Sequence, residues 1–229
     1  MKGTNLRLLH ISDLHLQATD DRNIITKIFT MYKDNGLRDE IFNYFSKPFD
    51  ENTLEALAKL AYDLRSYYDV ILISGDTAHT ASVKNLASAR RFIDNPYSNA
   101  GSDNTFLNDW GEPTLSSCGK PIIIVPGNHD RFESPNYLPG HNGYPQFNDV
   151  FHDYWHPGNN VQGHVIYYKR SPQLAVICVD FSLKSPDHSK GLGGSWWGQG
   201  KVYEDELNLL KSETYRIRRE YRCDVLWMF

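Results

Sequence analysis

Short apolar runs alternate with helical patterns along the 229-residue chain. Each run is rich in β-branched or large apolar residues and is bounded by polar or turn-forming residues, which is typical of β-strands. The predicted strands are residues 6–11, 70–74, 122–125, 164–168, 174–179 and 225–229.

Three segments between these runs carry the period of an amphipathic helix. Residues 50–68 place five apolar residues on one stripe: Leu54, Leu57, Ala58, Ala61 and Leu64. Residues 82–93 and 203–221 are the other two predicted helices. Strands that alternate with helices indicate a layered α/β domain. We expect one domain over residues 1–229, because this length lies within the range of a single α/β domain.

Three other segments fit neither pattern. Residues 95–119 and 131–160 are rich in Asn, Ser, Gly, Pro and Tyr, and we predict the second of them to be a long loop or cap excursion within the domain. A glycine-rich stretch around Trp196 and Trp197 is predicted to be a substrate lid, a partner contact or a loop pinned to the core.

Composition narrows the function classes. A formal charge of −4 and a pI near 6.1 provide no overall basic field, which disfavours nucleic acid as a partner without excluding it. The cysteines Cys118, Cys178 and Cys223 are odd in number and widely spaced, which favours a reducing compartment. The sequence contains no signal-type or membrane-spanning run, so we expect a soluble cytoplasmic protein with no membrane partner.

The first polar cluster that follows an apolar run contains Asp13 and His15. Two side chains at this spacing on a chain leaving a strand can point at one place, where they offer an oxygen and a nitrogen to a divalent metal. Sites in α/β proteins form at such strand ends. The pair alone is a weak signal, because a surface cluster or helix cap has the same pattern.

The second cluster follows residues 71–74 and consists of Gly75 and Asp76. Gly75 permits a tight backbone turn, and the two oxygens of Asp76 are enough to bridge two ions. An aspartate in an ordinary turn after a strand is the alternative.

The third cluster follows residues 123–125 and contains Gly127, Asn128, His129 and Asp130. Asn128 offers a neutral carbonyl ligand, His129 a titratable donor, and Asp130 a carboxylate that could support the metal ligands from behind. This tetrapeptide is the most specific signal in the chain.

The three clusters in this order make the chain resemble the calcineurin-like metallophosphoesterases over essentially its whole length, and its opening is similar to the cyclic-nucleotide phosphodiesterase branch. The resemblance implies a four-layer αββα fold, a β-sandwich flanked by helices, that holds two divalent metal ions. It implies that Asp13 and His15 bind one ion, that Asp76 bridges both, that Asn128 binds the other, and that His129 acts beside them as a proton donor or transition-state stabiliser. The donor types suit manganese, iron or zinc better than calcium.

The resemblance weakens towards the C-terminus. The family has a further metal-binding histidine and then a Gly-His-x-His loop, and neither is found here. His164 is the one tempting substitute, although Ile166 stands where a second imidazole should be, and an ordinary strand-edge histidine is the alternative. His10 and His79 are expected to support the motifs or lie at the surface, and His141, His152 and His156 fall in the long segment.

The last residues, 225–229, predict a buried strand that stops abruptly. We therefore expect a C-terminally truncated fragment that lacks the last part of the second sheet; a short protein that has lost this part is the alternative. With the later histidines absent, the 229-residue form is expected to bind metal weakly, to be nearly inactive and to expose apolar surface.

The function implied for the full-length parent is phosphoester hydrolysis, of a diester or a monoester, by a hydroxide held between two ions about 3.5–4 Å apart. The alternative is a non-catalytic scaffold of the same fold that binds protein partners, with Trp196 and Trp197 as anchors. A nuclease is a third possibility, which the negative net charge disfavours. The sequence identifies neither the substrate nor the residues that bind it, and it leaves the oligomeric state open.

Overall fold

The computed structural model describes residues 6–16, 51–94, 113–133, 138–139, 145–156, 161–168, 171–181, 202 and 204–229. Within these residues, a parallel sheet contains β1 (Leu8–Ile11), β2 (Val70–Ser74) and β3 (Ile122–Val125) in that order. The register places Ile11 opposite Ile73 and Ile73 opposite Ile124. All of β2 except its last residue is buried, as expected for a strand covered on both faces.

Two helices lie between the strands of this parallel sheet in the described part of the chain. Helix α1 (Glu51–Asp63) buries Leu54, Ala58 and Ala61 of the predicted stripe. Leu57 is only partly buried, and Leu64 lies just beyond the helix and is exposed, so the buried stripe is narrower than predicted. Helix α2 (Val83–Ile93) begins after Ser82, whose side chain accepts a hydrogen bond from the backbone N–H of Asn85. Since crossovers between adjacent parallel strands are right-handed, both helices lie on the same face of the sheet.

A second described sheet contains β6 (Val161–Tyr168), β7 (Ser171–Val179) and β8 (Asp224–Met228). Strand β7 pairs antiparallel with β6 and parallel with β8. Helix α4 (Glu204–Tyr221) packs against all three strands, so it forms the outer layer on this side. The predicted strands and helices of this part are all present, with bounds shifted by three residues or fewer.

Alternating residues of β7 connect the four layers. Val176 and Cys178 belong to the main core with the residues of the parallel sheet. Ala175, Ile177 and Val179 belong instead to a second cluster with Leu210 and Ile217 of α4. Because successive side chains of a strand point to opposite faces, the two sheets face each other and α4 covers the outer side. The predicted αββα architecture is confirmed.

The segment predicted as a long loop or cap excursion contains ordered structure. A short antiparallel pair, β4 (Phe132–Glu133) and β5 (Leu138–Pro139), is followed by helix α3 (Pro145–Val150). Phe147, Phe151 and Trp155 are buried in the main core, so this part of the segment is a component of the domain's core. The sequence pattern missed α3 because six residues are too few to establish a helical period.

One of the other two irregular segments is partly described, and the other lies outside the described residues. Residues 95–112 and the stretch with Trp196 and Trp197 lie outside the described residues, while residues 113–119 include a 3₁₀ turn, Ser116–Cys118. No helix in the described part of the chain is both long enough and apolar enough to cross a membrane.

A buried ion pair joins the two sheets. Arg131 lies just beyond β3 and donates from Nε and one terminal nitrogen to Oδ2 of Asp180, at 3.0 and 2.7 Å, directly after β7 ends. The two side chains are 1% and 0% exposed. The other terminal nitrogen of Arg131 donates to Asn148 of α3 at 3.0 Å, and the guanidinium lies over the ring of Phe147. One side chain therefore links the loop after β3, the end of β7 and α3.

Asp180→Ala should lower the free energy of unfolding by about 3–5 kcal/mol, because it leaves the charge of Arg131 buried without its carboxylate. Glu220→Ala is the control, because it breaks an exposed pair with Arg216 and should cost about 0–1 kcal/mol. Urea unfolding of both variants measures the difference. Equal losses in the two variants would show that the buried pair does not hold the sheets together.

Candidate metal centre

The candidate centre lies at the carboxyl edge of the parallel sheet. The loops that leave β1, β2 and β3 emerge at the same edge because the strands run in the same direction. The first two loops continue the strand pairing: the backbone N–H groups of Asp13, His15 and Leu16 donate to the carbonyls of Gly75, Asp76 and Thr77 at 3.3, 2.8 and 3.0 Å. Sequence positions more than 60 residues apart are thereby brought side by side.

Three of the predicted metal ligands adopt a left-handed backbone conformation. The φ angles of Asp13, His15 and Asp76 are 56°, 47° and 49°, and among the described non-glycine residues only Arg222 also has a positive φ. Such conformations cost about 1–3 kcal/mol each and persist where the surrounding structure fixes them. Their concentration at this edge is a structural sign of a functional site that the sequence pattern does not reveal.

Two glycines allow the second and third loops to touch. A Cβ atom on Gly75, whose φ is 84°, would lie 2.9 Å from the Cα of Gly127. A Cβ atom on Gly127 would overlap the carboxylate and the backbone nitrogen of Asp76. Both positions therefore require glycine for the close approach of the loops.

The structure brings Asp13, His15 and Asp76 together. One ligand atom from each lies within 4.8 Å of the others, and Nε2 of His15 is 3.9 Å from both Oδ1 of Asp13 and Oδ2 of Asp76. We call these three residues the carboxylate set. Two carboxylates and an imidazole are a donor set that suits a divalent transition metal.

Burial changes the proton affinity of two members of this set. It lowers the pKa of His15, and the nearby His129 lowers it further while Asp13 and Asp130 oppose the shift. The ring is therefore neutral near pH 7, which is the state that binds metal. Burial raises the pKa of Asp76, against the opposing effects of His129 and of the hydrogen bond from its backbone N–H. A bound cation would offset the unfavourable burial of this carboxylate.

His15 has an atom for which the described structure gives no hydrogen-bond partner, because Nδ1 is buried and makes no hydrogen bond within this part of the chain. A buried imidazole without such a bond is unfavourable, which is consistent with a site that binds a ligand. The residues present therefore fit a metal centre of the kind predicted from the sequence.

Asn128 and His129 lie at the same edge, in the loop after β3. The backbone N–H of His129 donates to Oδ1 of Asp76 at 2.9 Å, and the carbonyl of Asn128 accepts from the backbone N–H of Arg131 at 3.1 Å. Asn128 is half-buried directly before His129. Its side-chain role as a ligand stays a prediction.

The ring of His129 is oriented by a backbone carbonyl. Its Nδ1 lies 2.8 Å from the carbonyl oxygen of His79. A carbonyl can only accept, so Nδ1 carries the proton and Nε2 is the nitrogen that gains or loses one. The ring is 4.6 Å from that of His15 between centroids. The predicted role in proton transfer thus has a defined atom, Nε2.

Asp130 connects the second and third loops. Its fully buried carboxylate accepts from the N–H and hydroxyl of Thr77 at 3.2 and 2.6 Å, from the N–H of Ala78 at 2.8 Å and from the N–H of Gly127 at 3.0 Å. Burial and then the charge of Asp76 raise the pKa of Asp130 to about 6, while these hydrogen bonds act in the opposite direction. The predicted supporting carboxylate holds the backbone of the loop that carries Asp76.

His79 lies closer to the centre than its sequence position indicated. It is buried, with its ring centroid 6.0 Å from that of His15 and 5.8 Å from that of His129. Burial, followed by His129 and His15, lowers the pKa of His79 to about 4. The only sequence signal for this inward position was that His79 lies three residues beyond Asp76. Spacing within a loop does not determine the direction of a side chain, so the signal was weak.

Four other histidines in the described residues are less closely associated with the centre. His10 is exposed, and its Nε2 lies 2.6 Å from Oγ of Ser74. His152 and His156 are exposed, and His164 lies on β6 opposite Val176. None of these four joins a group of three possible metal ligands within the described residues, and His141 lies outside them.

The chain matches known proteins at the level of a protein family. A family model for the calcineurin-like phosphoesterases matches residues 6–215, which is most of the chain. No curated protein matches the chain significantly.

Gly127→Ala should abolish binding of Mn²⁺ at the carboxylate set, because the added methyl group displaces the carboxylate of Asp76. Gly119→Ala is the control: Gly119 has a φ of 64° but nothing within 4 Å of an added Cβ, so it carries a backbone cost without a clash at the centre. Calorimetric Mn²⁺ titration of both variants is the measurement. Unchanged Mn²⁺ binding by the Gly127 variant would remove Asp76 from the set.

His79 should also produce an acid-dependent loss of stability in the metal-free protein. The folded-state pKa of His79, about 4, lies below the ordinary histidine value of 6.5, so above pH 6.5 the ring is neutral in both the folded and the unfolded state. As the pH falls towards 4, the unfolded state binds a proton that the folded state excludes, and stability is lost. His79→Gln should therefore reduce the fall in unfolding free energy between pH 7 and 4, measured by urea titration with a chelator present. The exposed His152→Gln change is the control, and an identical pH dependence in wild type and the His79 variant would contradict the expectation.

Proposed function

The chain belongs to the calcineurin-like phosphoesterase family, and from that premise we propose that it hydrolyses a phosphodiester or phosphomonoester at a two-metal centre. The family is generally one of metal-dependent phosphoester hydrolases with dinuclear centres. The observation that carries the proposal is the convergence of Asp13, His15 and Asp76 from two separate strand ends.

The residues divide between two ions in the proposed centre. Asp13 and His15 would hold one ion, Asn128 would hold the other, and Asp76 would contribute to both. Manganese, iron or zinc fits this mixture of carboxylate, imidazole and amide donors. When bound, the ions supply Lewis-acid polarisation of the phosphoryl group and lower the pKa of water.

The chain's own contribution to proton transfer comes from His129. With Nδ1 donating to the carbonyl of His79, the ring can deliver a proton from Nε2 to the leaving oxygen of the ester. The hydrogen bond from its backbone N–H to Asp76 fixes the distance between this donor and the carboxylate. Asp130 keeps both loops in place, so the ring and the ligands are positioned as one unit.

The substrate class is narrowed by charge. A net charge of −4 favours a small phosphoester over a nucleic acid, because a polyanion would meet no overall basic field. Because the opening of the chain resembles the cyclic-nucleotide phosphodiesterases, we propose a small phosphodiester as the preferred substrate. Cys118, Cys178 and Cys223 are all buried thiols, which supports a reducing compartment such as the cytoplasm.

The alternative function, a non-catalytic scaffold of the same fold that binds protein partners, has less support. Its proposed anchors, Trp196 and Trp197, lie outside the described residues. A scaffold would also have no need for three ligand-type residues in left-handed conformations at one sheet edge.

Turnover of an aryl phosphodiester and an aryl phosphomonoester by the Mn²⁺-loaded protein tests the proposal. His129→Asn should reduce turnover by about 10²–10⁴-fold while Mn²⁺ content is retained, because the ring donates a proton and does not hold this ion. Asp76→Asn should lose both Mn²⁺ and turnover, and the exposed His152→Asn change should lose neither. Absence of turnover with manganese, iron and zinc alike would overturn the proposed reaction for the 229-residue form, whereas turnover would overturn the expectation that this form is nearly inactive without the later histidines. Loss of Mn²⁺ in the His129 variant would make His129 a ligand.

A further inference from the structure

Three histidines form a second possible donor set beside the carboxylate set. One nitrogen from each of His15, His79 and His129 lies within 4.8 Å of the other two. The ring centroids are separated by 4.6, 5.8 and 6.0 Å. We call this group the histidine trio.

The spacing of the rings suits a single ion. With Zn–N bonds of about 2.0–2.1 Å, each ring centroid lies about 3.2 Å from the metal, and tetrahedral angles then separate the centroids by roughly 5 Å. The observed separations lie within about 1 Å of that value. The three nitrogens, which lie within 4.8 Å of one another, would have to turn towards one point to share an ion.

The surroundings of the trio also match those of metal-binding histidines. A histidine ligand usually donates its other ring N–H to a carboxylate or a backbone carbonyl, which fixes the tautomer. His129 does this through the carbonyl of His79 at 2.8 Å. Nδ1 of His15, buried and without a hydrogen-bond partner in the described structure, is a further polar atom that a bound ligand could satisfy.

We propose that the histidine trio is a second, all-nitrogen metal site, which binds Zn²⁺, Ni²⁺ or Cu²⁺ through His15, His79 and His129 with a fourth position open to water. Imidazole donors prefer these ions, whereas carboxylate oxygens suit Mn²⁺. His79 distinguishes the two sites, because it belongs to the trio and not to the carboxylate set.

The two sites compete for one side chain. A neutral imidazole has a single lone pair on nitrogen, so His15 can serve either the trio or the carboxylate set at one time. An ion in the trio also occupies His129. On the basis of the proposed function, such an ion would inhibit hydrolysis by withdrawing both residues from it.

Pulsed electron paramagnetic resonance of the wild-type protein with less than one equivalent of Cu²⁺ counts the coordinated imidazoles directly. The trio predicts three imidazole nitrogens, and the carboxylate set predicts one. A count of one, or of none, would overturn the proposal, and this readout needs no variant.

Matched variants give an independent test by titration with Ni²⁺, which prefers imidazole, and with Mn²⁺. His79→Gln should weaken Ni²⁺ binding by at least about 10–100-fold, the loss seen when even an orienting partner of a ligand is removed. Its Mn²⁺ affinity should be unchanged. Asp13→Asn should show the opposite pattern, and the exposed His10→Gln change should leave both affinities as in wild type. Circular dichroism establishes that each variant is folded.

Ni²⁺ affinity retained by a folded His79→Gln protein would refute the trio. The metal readouts do not depend on catalysis, so the two proposals can fail separately. Cu²⁺ binding by three imidazoles without turnover would support the trio and contradict the proposed hydrolase function. Turnover together with Cu²⁺ binding by one imidazole would support the hydrolase function and contradict the trio.

Discussion

The buried carboxylate of Asp130 is the interaction on which the centre depends. It accepts four hydrogen bonds from Thr77, Ala78 and Gly127, so it holds the loop after β2 against the loop after β3. A fully buried carboxylate is costly, and its raised pKa reflects that cost. Four donors offset much of it, and they fix Asp76 and His129 relative to each other. The chain places a stabilising residue directly beside the reactive one, so neither can move alone.

Backbone strain and side-chain chemistry coincide at this sheet edge. Asp13, His15 and Asp76 have left-handed conformations that a fold without a site here would have no reason to keep. The strain is tolerated because the loops of β1 and β2 continue their pairing as far as Leu16 and Ala78. Arg131 follows Asp130 in the loop after β3, and its side chain pairs with Asp180. This pair connects the strained edge of the parallel sheet to the second sheet. Packing of the two sheets and geometry of the centre are therefore coupled through a single short loop.

Two donor sets that share His15 offer a physical basis for metal selectivity. The carboxylate set and the histidine trio both include His15 but offer different donor atoms, so they favour different metal ions. A neutral ring can serve only one of them. The choice of ion would then decide whether His129 is available for proton transfer or is bound to metal.

Local periodicity in the sequence predicted a layered α/β domain and most of its strands and helices, and the resemblance to the family implied the αββα class. Polar clusters directly after apolar runs marked Asp13, His15, Asp76, Asn128, His129 and Asp130 as candidate site residues. The sequence pattern missed α3, since six residues carry no period, and it treated the aromatic residues around Phe147 as loop when they complete the core. The tertiary structure alone decided that His79 turns inward beside His15 and His129, that Arg131 pairs with Asp180, and that Gly127 lies against the carboxylate of Asp76. These are contacts between residues about 50 or more positions apart, or orientations within a loop, and both are set by the packing of the whole sheet edge, which no local pattern encodes.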